Sequence, residues 1–145
     1  MNTPPPDAAT LPDDPRALVA AVPYAAYLDL RIEGDADGAR IFRLPYREDL
    51  IGNARLPALH GGAIAGFVES AALFEVLISQ AQQRVPRVVD MTVDYLRSGQ
   101  ARDTFAVGRV VRQGSRIAQV QVDVWQDQRE RLIAFARADF LLQED

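Results

Sequence analysis

The chain contains a single histidine, and two glycines follow it directly, His60-Gly61-Gly62. The residues after them are good helix formers with no proline as far as Gln83, so the histidine and glycines fall at the start of a helix. A helix N-terminus carries unpaired N–H groups and the positive end of the helix dipole, which suits it to hold a carbonyl or an oxyanion. Glycine lets a ligand approach that backbone closely. Further along the same helix stand two carboxylates among small and apolar residues, Glu69 and Glu75. A carboxylate in such surroundings either finds a cationic partner or is available as a base or nucleophile. The residue pattern alone does not separate the two glutamates. It also leaves the plainer possibilities open: a glycine-rich turn capped by His60, and a glutamate paired with an arginine from another element.

The spacing adds a constraint. Gly61 and Glu69 are eight residues apart, about 12 Å along a helix at roughly 1.5 Å per residue. A carbonyl held at Gly61 is therefore beyond the reach of Glu69 on the same chain. Two such helices packed antiparallel bring Glu69 of one chain to Gly61 of the other, so joint action of the two groups requires at least a dimer.

The elements that must position these residues are legible in outline. Apolar residues surround the Gly61–Gln83 helix on all sides, which predicts a buried core helix. Four strand-like segments follow, Val88–Leu96, Thr104–Val111, Arg116–Trp125 and Leu132–Leu142, rich in valine, isoleucine and aromatics. In the third, Ala118, Val120, Val122 and Val124 alternate with Gln119, Gln121 and Asp123, a period of two. Short turns between the strands make the neighbours antiparallel. Before the site, Asp14-Pro15 starts a short helix over Arg16–Ala21 that Pro23 interrupts, and Tyr24–Tyr27 adds a turn. Leu28–Glu33 and Ala39–Leu44 form a hairpin about the Gly34–Gly38 turn, and Pro45–Pro57 reads as a loop into the site. The sum is an α+β domain over residues 15–145, a curved antiparallel sheet of about six strands around one long helix. Residues 1–14, rich in proline, acids and small side chains, read as a disordered leader.

Composition removes several classes of chemistry. The chain has 145 residues and no cysteine, which excludes thiolate metal sites and cysteine nucleophiles. One histidine excludes a multi-histidine metal centre within one chain, and no metal is expected. A net charge of −4 gives no reason to expect nucleic acid. No apolar run approaches the roughly 18 residues of a membrane span, and the N-terminus lacks the basic and apolar regions of a signal peptide. No membrane partner and a cytoplasmic location are expected. All basic residues are arginine, the side chain whose fork fits phosphate.

The stretch GNARLPALHGGAIAGFVESAA resembles the signature region of hotdog-fold thioesterases of the phenylacetate-degradation (PaaI-like) type. The later DMTVDYLRSGQARDTFAVGRVVRQGSRIAQVQVDVWQ resembles the strands that follow it in that family, and the likeness covers roughly residues 20–142. The resemblance implies the hotdog fold, a homodimer or homotetramer, and hydrolysis of an acyl-CoA thioester without a cofactor, coenzyme A being part of the substrate. By position it implies Glu69, nine residues after the histidine, as the catalytic carboxylate, and Gly61 as the residue whose N–H polarises the thioester carbonyl. The family's amide residue, six before the histidine, falls on Ala54; Asn53 takes that role if the loop is one residue longer. A hydroxyl residue of some members falls on Val88. His60 is expected to orient the turn, with Gly62 beside it in the substrate site. Arg97, Arg112 and Arg116 are the candidates for the coenzyme A phosphates. Other hotdog activities, a hydroxyacyl dehydratase or hydratase and a non-catalytic acyl-CoA sensor, are the alternatives; the dehydratase and hydratase motifs are absent.

Overall fold

The computed structural model describes residues 11–34, 37–79 and 84–142. Residues 1–10 of the expected leader, positions 35 and 36 of the first hairpin turn, and residues 80–83 of the expected long helix lie outside the described residues, as do 143–145. The described chain already packs at Leu11, which lies against the core.

Helix α1 (Pro15–Ala20) begins as the sequence predicts, with the Asp14 carboxylate accepting from the Ala17 N–H and proline at the first position. Pro23 does more than interrupt it. It starts a second helix, α2 (Pro23–Tyr27), because proline lacks the N–H that a first helical turn leaves unpaired. Strands β1 (Arg31–Gly34) and β2 (Arg40–Leu44) form the expected hairpin, with Arg31 opposite Arg43 and Gly34 opposite Arg40. Gly38 takes a φ of +73°, which a side chain would strain. Pro45–Pro57, expected as a loop, is more ordered than that. It contains a 3-10 turn (Glu48–Leu50) and strand β3 (Ile51–Asn53), which pairs with β4 (Ala58–Leu59) as a separate two-stranded ribbon. Strands of two or three residues carry too few positions to show alternation.

Helix α3 (Gly61–Ser79) runs from the glycine pair as predicted. Strands β5 (Arg87–Tyr95), β6 (Thr104–Gln113), β7 (Ile117–Trp125) and β8 (Leu132–Leu141) complete an antiparallel six-stranded sheet in the order β1-β2-β6-β7-β8-β5. Alternation in β7 holds through the strand: Ala118, Val120, Val122 and Val124 are fully buried, and the residues between them lie on the other face. On β8 the buried face is a row of alanines, Ala134, Ala136 and Ala138, opposite Val124, Val122 and Val120. Small side chains there let the sheet curve close to the helix, and α3 fills the space with Phe67, Val68, Ala71, Phe74 and Val76.

Two expectations about α3 change. By length and composition it is apolar enough to cross a membrane, contrary to the reading that no stretch comes near. More than half of it is buried inside the fold, which accounts for its apolarity. It is also not enclosed on every side, since Ala65, Gly66 and Glu69 are half-buried and Gly62 is exposed. The sheet covers one flank of the helix, and Tyr24 of α2 reaches over part of the other, beside Gly66.

The alanine row predicts its own sensitivity. Ala136→Leu would overpack the helix–sheet interface and lower stability by about 1–3 kcal/mol, read from chemical denaturation. The outward-facing Arg137→Ala, by contrast, should stay within about 0.5 kcal/mol.

Candidate active site

The β3–β4 ribbon brings His60 to the start of α3. The His60 N–H donates to the Leu50 carbonyl (2.8 Å), and the Leu59 N–H to the Gly99 carbonyl (2.9 Å). Gly52 lies so close that a β-carbon on it would stand 2.7 Å from the His60 Cα. That distance is to backbone, so no side-chain movement relieves it.

His60 ends the chain's extended run and caps the helix. Its carbonyl accepts from the Ala63 N–H (3.0 Å) and the Ile64 N–H (3.2 Å). Its Nδ1 accepts from the Gly62 N–H (2.8 Å). A backbone N–H can only donate, so Nδ1 carries no proton and the ring proton sits on Nε2. The Gly61 N–H is left without an acceptor among the described residues. The residue Gly61 lines an open cleft of about 400 Å³, together with Leu59, Ile64, Tyr95, Arg97 and Gly99, among others.

The far wall of that cleft, residues 95–99, is held from three sides. Leu96 and Arg97 donate backbone N–H bonds to the Ile133 carbonyl (2.8 and 3.1 Å). Gln126 exchanges two bonds of 2.9 Å with the Gln100 backbone and donates to the fully buried Thr104 (3.2 Å). The Tyr95 hydroxyl crosses the cleft and donates to the Gly61 carbonyl (2.7 Å).

The structure separates the two helix carboxylates. Glu75 lies beneath the Arg40 guanidinium of β2 (2.8 Å) and accepts from Ser79 (2.6 Å), with only 12 % of its side chain exposed. Its stem rests on Gly108, where a β-carbon would come within 3.2 Å. Glu75 is thus the paired structural acid. Glu69 is half-buried on the open flank of α3, with no hydrogen bond or ion pair among the described residues. Tyr24, stacked on Tyr27 (ring centroids 5.8 Å apart), covers Gly66 one turn before it.

The remaining sequence-predicted residues are spread more widely. Asn53 is exposed, and its side-chain oxygen accepts from the Arg55 N–H (3.1 Å), closing the turn after β3. Within this chain it is not brought to Gly61. Ala54 is exposed in the same turn. Arg97 lines the cleft at Gly61 and donates to the Leu132 carbonyl. Arg112 and Arg116 lie at the β6–β7 turn, toward the end of the sheet opposite Tyr95, and Val88 opposes Phe140 at that same end. A larger cleft of about 590 Å³ opens between α1, α2 and β1. Two of its arginines are paired, Arg31 with Asp29 and Arg43 with Glu33, and Arg16 also lines it. Among the described residues no three histidine or acidic side chains converge as metal ligands. Tyr24 and Tyr95 were not singled out from the sequence; the only available signal was an exposed aromatic in each, which is too common to rank.

The family profile described as "Thioesterase superfamily" matches residues 56–133, more than half of the chain. A crystal structure of a Chromobacterium violaceum protein is 38% identical, with 88% of each chain covered and a TM-score of 0.70. A Bacillus halodurans protein solved with CoA is 23% identical over 83% of this chain and 78% of its own, TM-score 0.73. The E. coli PaaI protein from the phenylacetic acid degradation operon is 18% identical over 87% and 92%, TM-score 0.71. The last two show a shared fold, the hotdog arrangement of one long helix on a curved antiparallel sheet. No curated protein matches the sequence.

The cap and the ion pair are separable by substitution. His60→Ala should lower stability by about 1 kcal/mol, and His60→Asn, whose amide oxygen can also accept at a helix start, should recover most of it. Glu75→Gln should cost about 1–2 kcal/mol by weakening the Arg40 bond, whereas Glu69→Gln should leave the thermal midpoint unchanged.

Proposed function

Because the chain belongs to the thioesterase superfamily, we propose that it hydrolyses an acyl-CoA thioester to the free acid and coenzyme A. Glu69 is the catalytic carboxylate: it takes a proton from the attacking water and passes it to the departing sulfur, or it attacks the thioester carbonyl to form an anhydride that water then hydrolyses to the free acid, with the sulfur taking its proton from solvent. The Gly61 N–H stabilises the oxyanion that forms on the carbonyl oxygen, and the C–S bond then breaks, with the sulfur leaving as the coenzyme A thiol. His60 orients the turn through its cap. The single observation that carries this reading is the pairing of a free N–H at Gly61, on a cleft, with a free carboxylate at Glu69 on the open flank of the same helix. Glu75, whose carboxylate is bound to the Arg40 guanidinium, is the weaker candidate for the role.

The site is shared between two chains. Eight residues separate Gly61 from Glu69, about 12 Å along the helix, so each chain supplies a different half of each site. Two features support an assembly of that kind. Strand β5 is a nine-residue edge, bonded to β8 on one side only, with Val88 and Val89 exposed. The open flank of α3 carries Gly62 and Ala65, small enough for a second helix to approach closely. The fold accommodates CoA in the Bacillus halodurans protein. Here Arg97, at the mouth of the Gly61 cleft, is the first candidate for its phosphates. Arg112 and Arg116 would meet the coenzyme only from the far end of the sheet.

Two substitutions test the assignment on a panel of acyl-CoA substrates. Glu69→Gln should lower kcat by about 10²–10⁴. Gly61→Pro deletes the N–H at a first helical position, where proline is well tolerated, and should lower kcat by about 10²–10³. Equimolar mixing of the two inactive variants, with subunit exchange, should restore about a quarter of wild-type activity, since a mixed dimer holds one intact site. No recovery on mixing would place both groups in one chain's site. Tight acyl-CoA binding without cleavage by the wild type would overturn the hydrolase reading in favour of a sensor.

A further inference from the structure

Two adjacent glycines are the softest place to mount a hydrogen-bond donor, because glycine loses more backbone freedom on ordering than any other residue. The hydrogen bonds around Gly61 remove that freedom. In the His60–Gly61 peptide, the oxygen accepts from Ala63 and Ile64. In the Gly61–Gly62 peptide, the N–H is held by His60 Nδ1 and the oxygen by the Tyr95 hydroxyl. Of the four polar groups in these two peptides, only the Gly61 N–H has no partner among the described residues.

We infer that Tyr95 is a positioning residue for the reaction proposed above: its hydroxyl fixes the Gly61–Gly62 peptide so that the Gly61 N–H stays aimed into the cleft. The inference rests on the acyl-CoA hydrolase reading. Tyr95 suits this role because its backbone belongs to the sheet. It pairs with Ala134 of β8, and the next two residues donate to Ile133. The helix start is thereby referenced to the sheet that forms the cleft wall, and not only to its own cap. The ring itself lies in van der Waals range of Gly61, 3.4 Å from where a β-carbon would stand. The hydroxyl's one proton is committed to the Gly61 oxygen, so Tyr95 acts through the backbone and not as an acid on the substrate.

Tyr95→Phe removes the hydroxyl and keeps the ring. Steady-state kinetics with an acyl-CoA that the wild type cleaves should show kcat reduced about tenfold and KM within about twofold, as expected when a donor drifts from its transition-state position. The thermal midpoint should not move, and amide hydrogen exchange at Gly62 should accelerate. Tyr95→Phe combined with His60→Ala should lose less than the product of the two single effects, since both hold one peptide. An unchanged kcat in Tyr95→Phe, or a loss carried entirely by KM or by unfolding, overturns the inference while leaving the hydrolase reading intact. A wild type that cleaves no acyl-CoA overturns that reading, and this inference with it.

Discussion

A helix begins with N–H groups that its own ladder cannot satisfy, and α3 meets that requirement for all but one of them. Gly62 is capped by an imidazole nitrogen, and Ala63 and Ile64 by the His60 carbonyl. Among the described residues the Gly61 N–H alone is left, and Gly61 lines a cleft. The rest of the molecule can be understood as what makes that single deficiency tolerable. The β3–β4 ribbon sets His60, the 95–99 segment closes the far wall, and Gln126 ties that wall to the sheet. An unpaired N–H in a protein interior is costly. At an open cleft, where solvent or a substrate oxygen can reach it, the same group is available without that penalty.

Burial and chemistry divide along the length and around the circumference of α3. The sheet-facing flank is packed with phenylalanine, valine and alanine against valines and alanines of β7 and β8. The opposite flank carries glycine, alanine and Glu69, which has no partner among the described residues. Near its C-terminal end the helix reaches toward β2 through Glu75 and Arg40, an ion pair that joins elements thirty-five residues apart in sequence. Two glutamates on one helix thus answer two different demands. One fastens the helix to the sheet, and the other has no partner among the described residues.

Much of this was legible in the residues. The strict alternation of β7, the proline-free run after His60 and the Asp14-Pro15 helix start each reflect a local rule, and the structure follows all three. The helix cap by His60 was among the readings of the glycine-rich turn. Other features depend on contacts that no local pattern encodes. Arg40 pairs with Glu75 from a distant strand, and Tyr95 meets Gly61 only in the folded chain. Helix α2 and the β3–β4 ribbon are too short for periodicity to reveal them. That one flank of the core helix α3 is only half-buried does not show in the pattern, because small residues suit a close-packed core and a helix–helix contact equally well.

Gly52 has a bearing on how variation in this chain should be interpreted. It bears no reactive group, yet the His60 backbone leaves no room for any other side chain there. Any substitution at that position must displace the residue on which the helix start is built. In a mutational scan scored only by turnover, position 52 would look like part of the catalytic machinery. A parallel measurement of folded protein would show whether the lesion is one of shape, transmitted through the ribbon to the helix start.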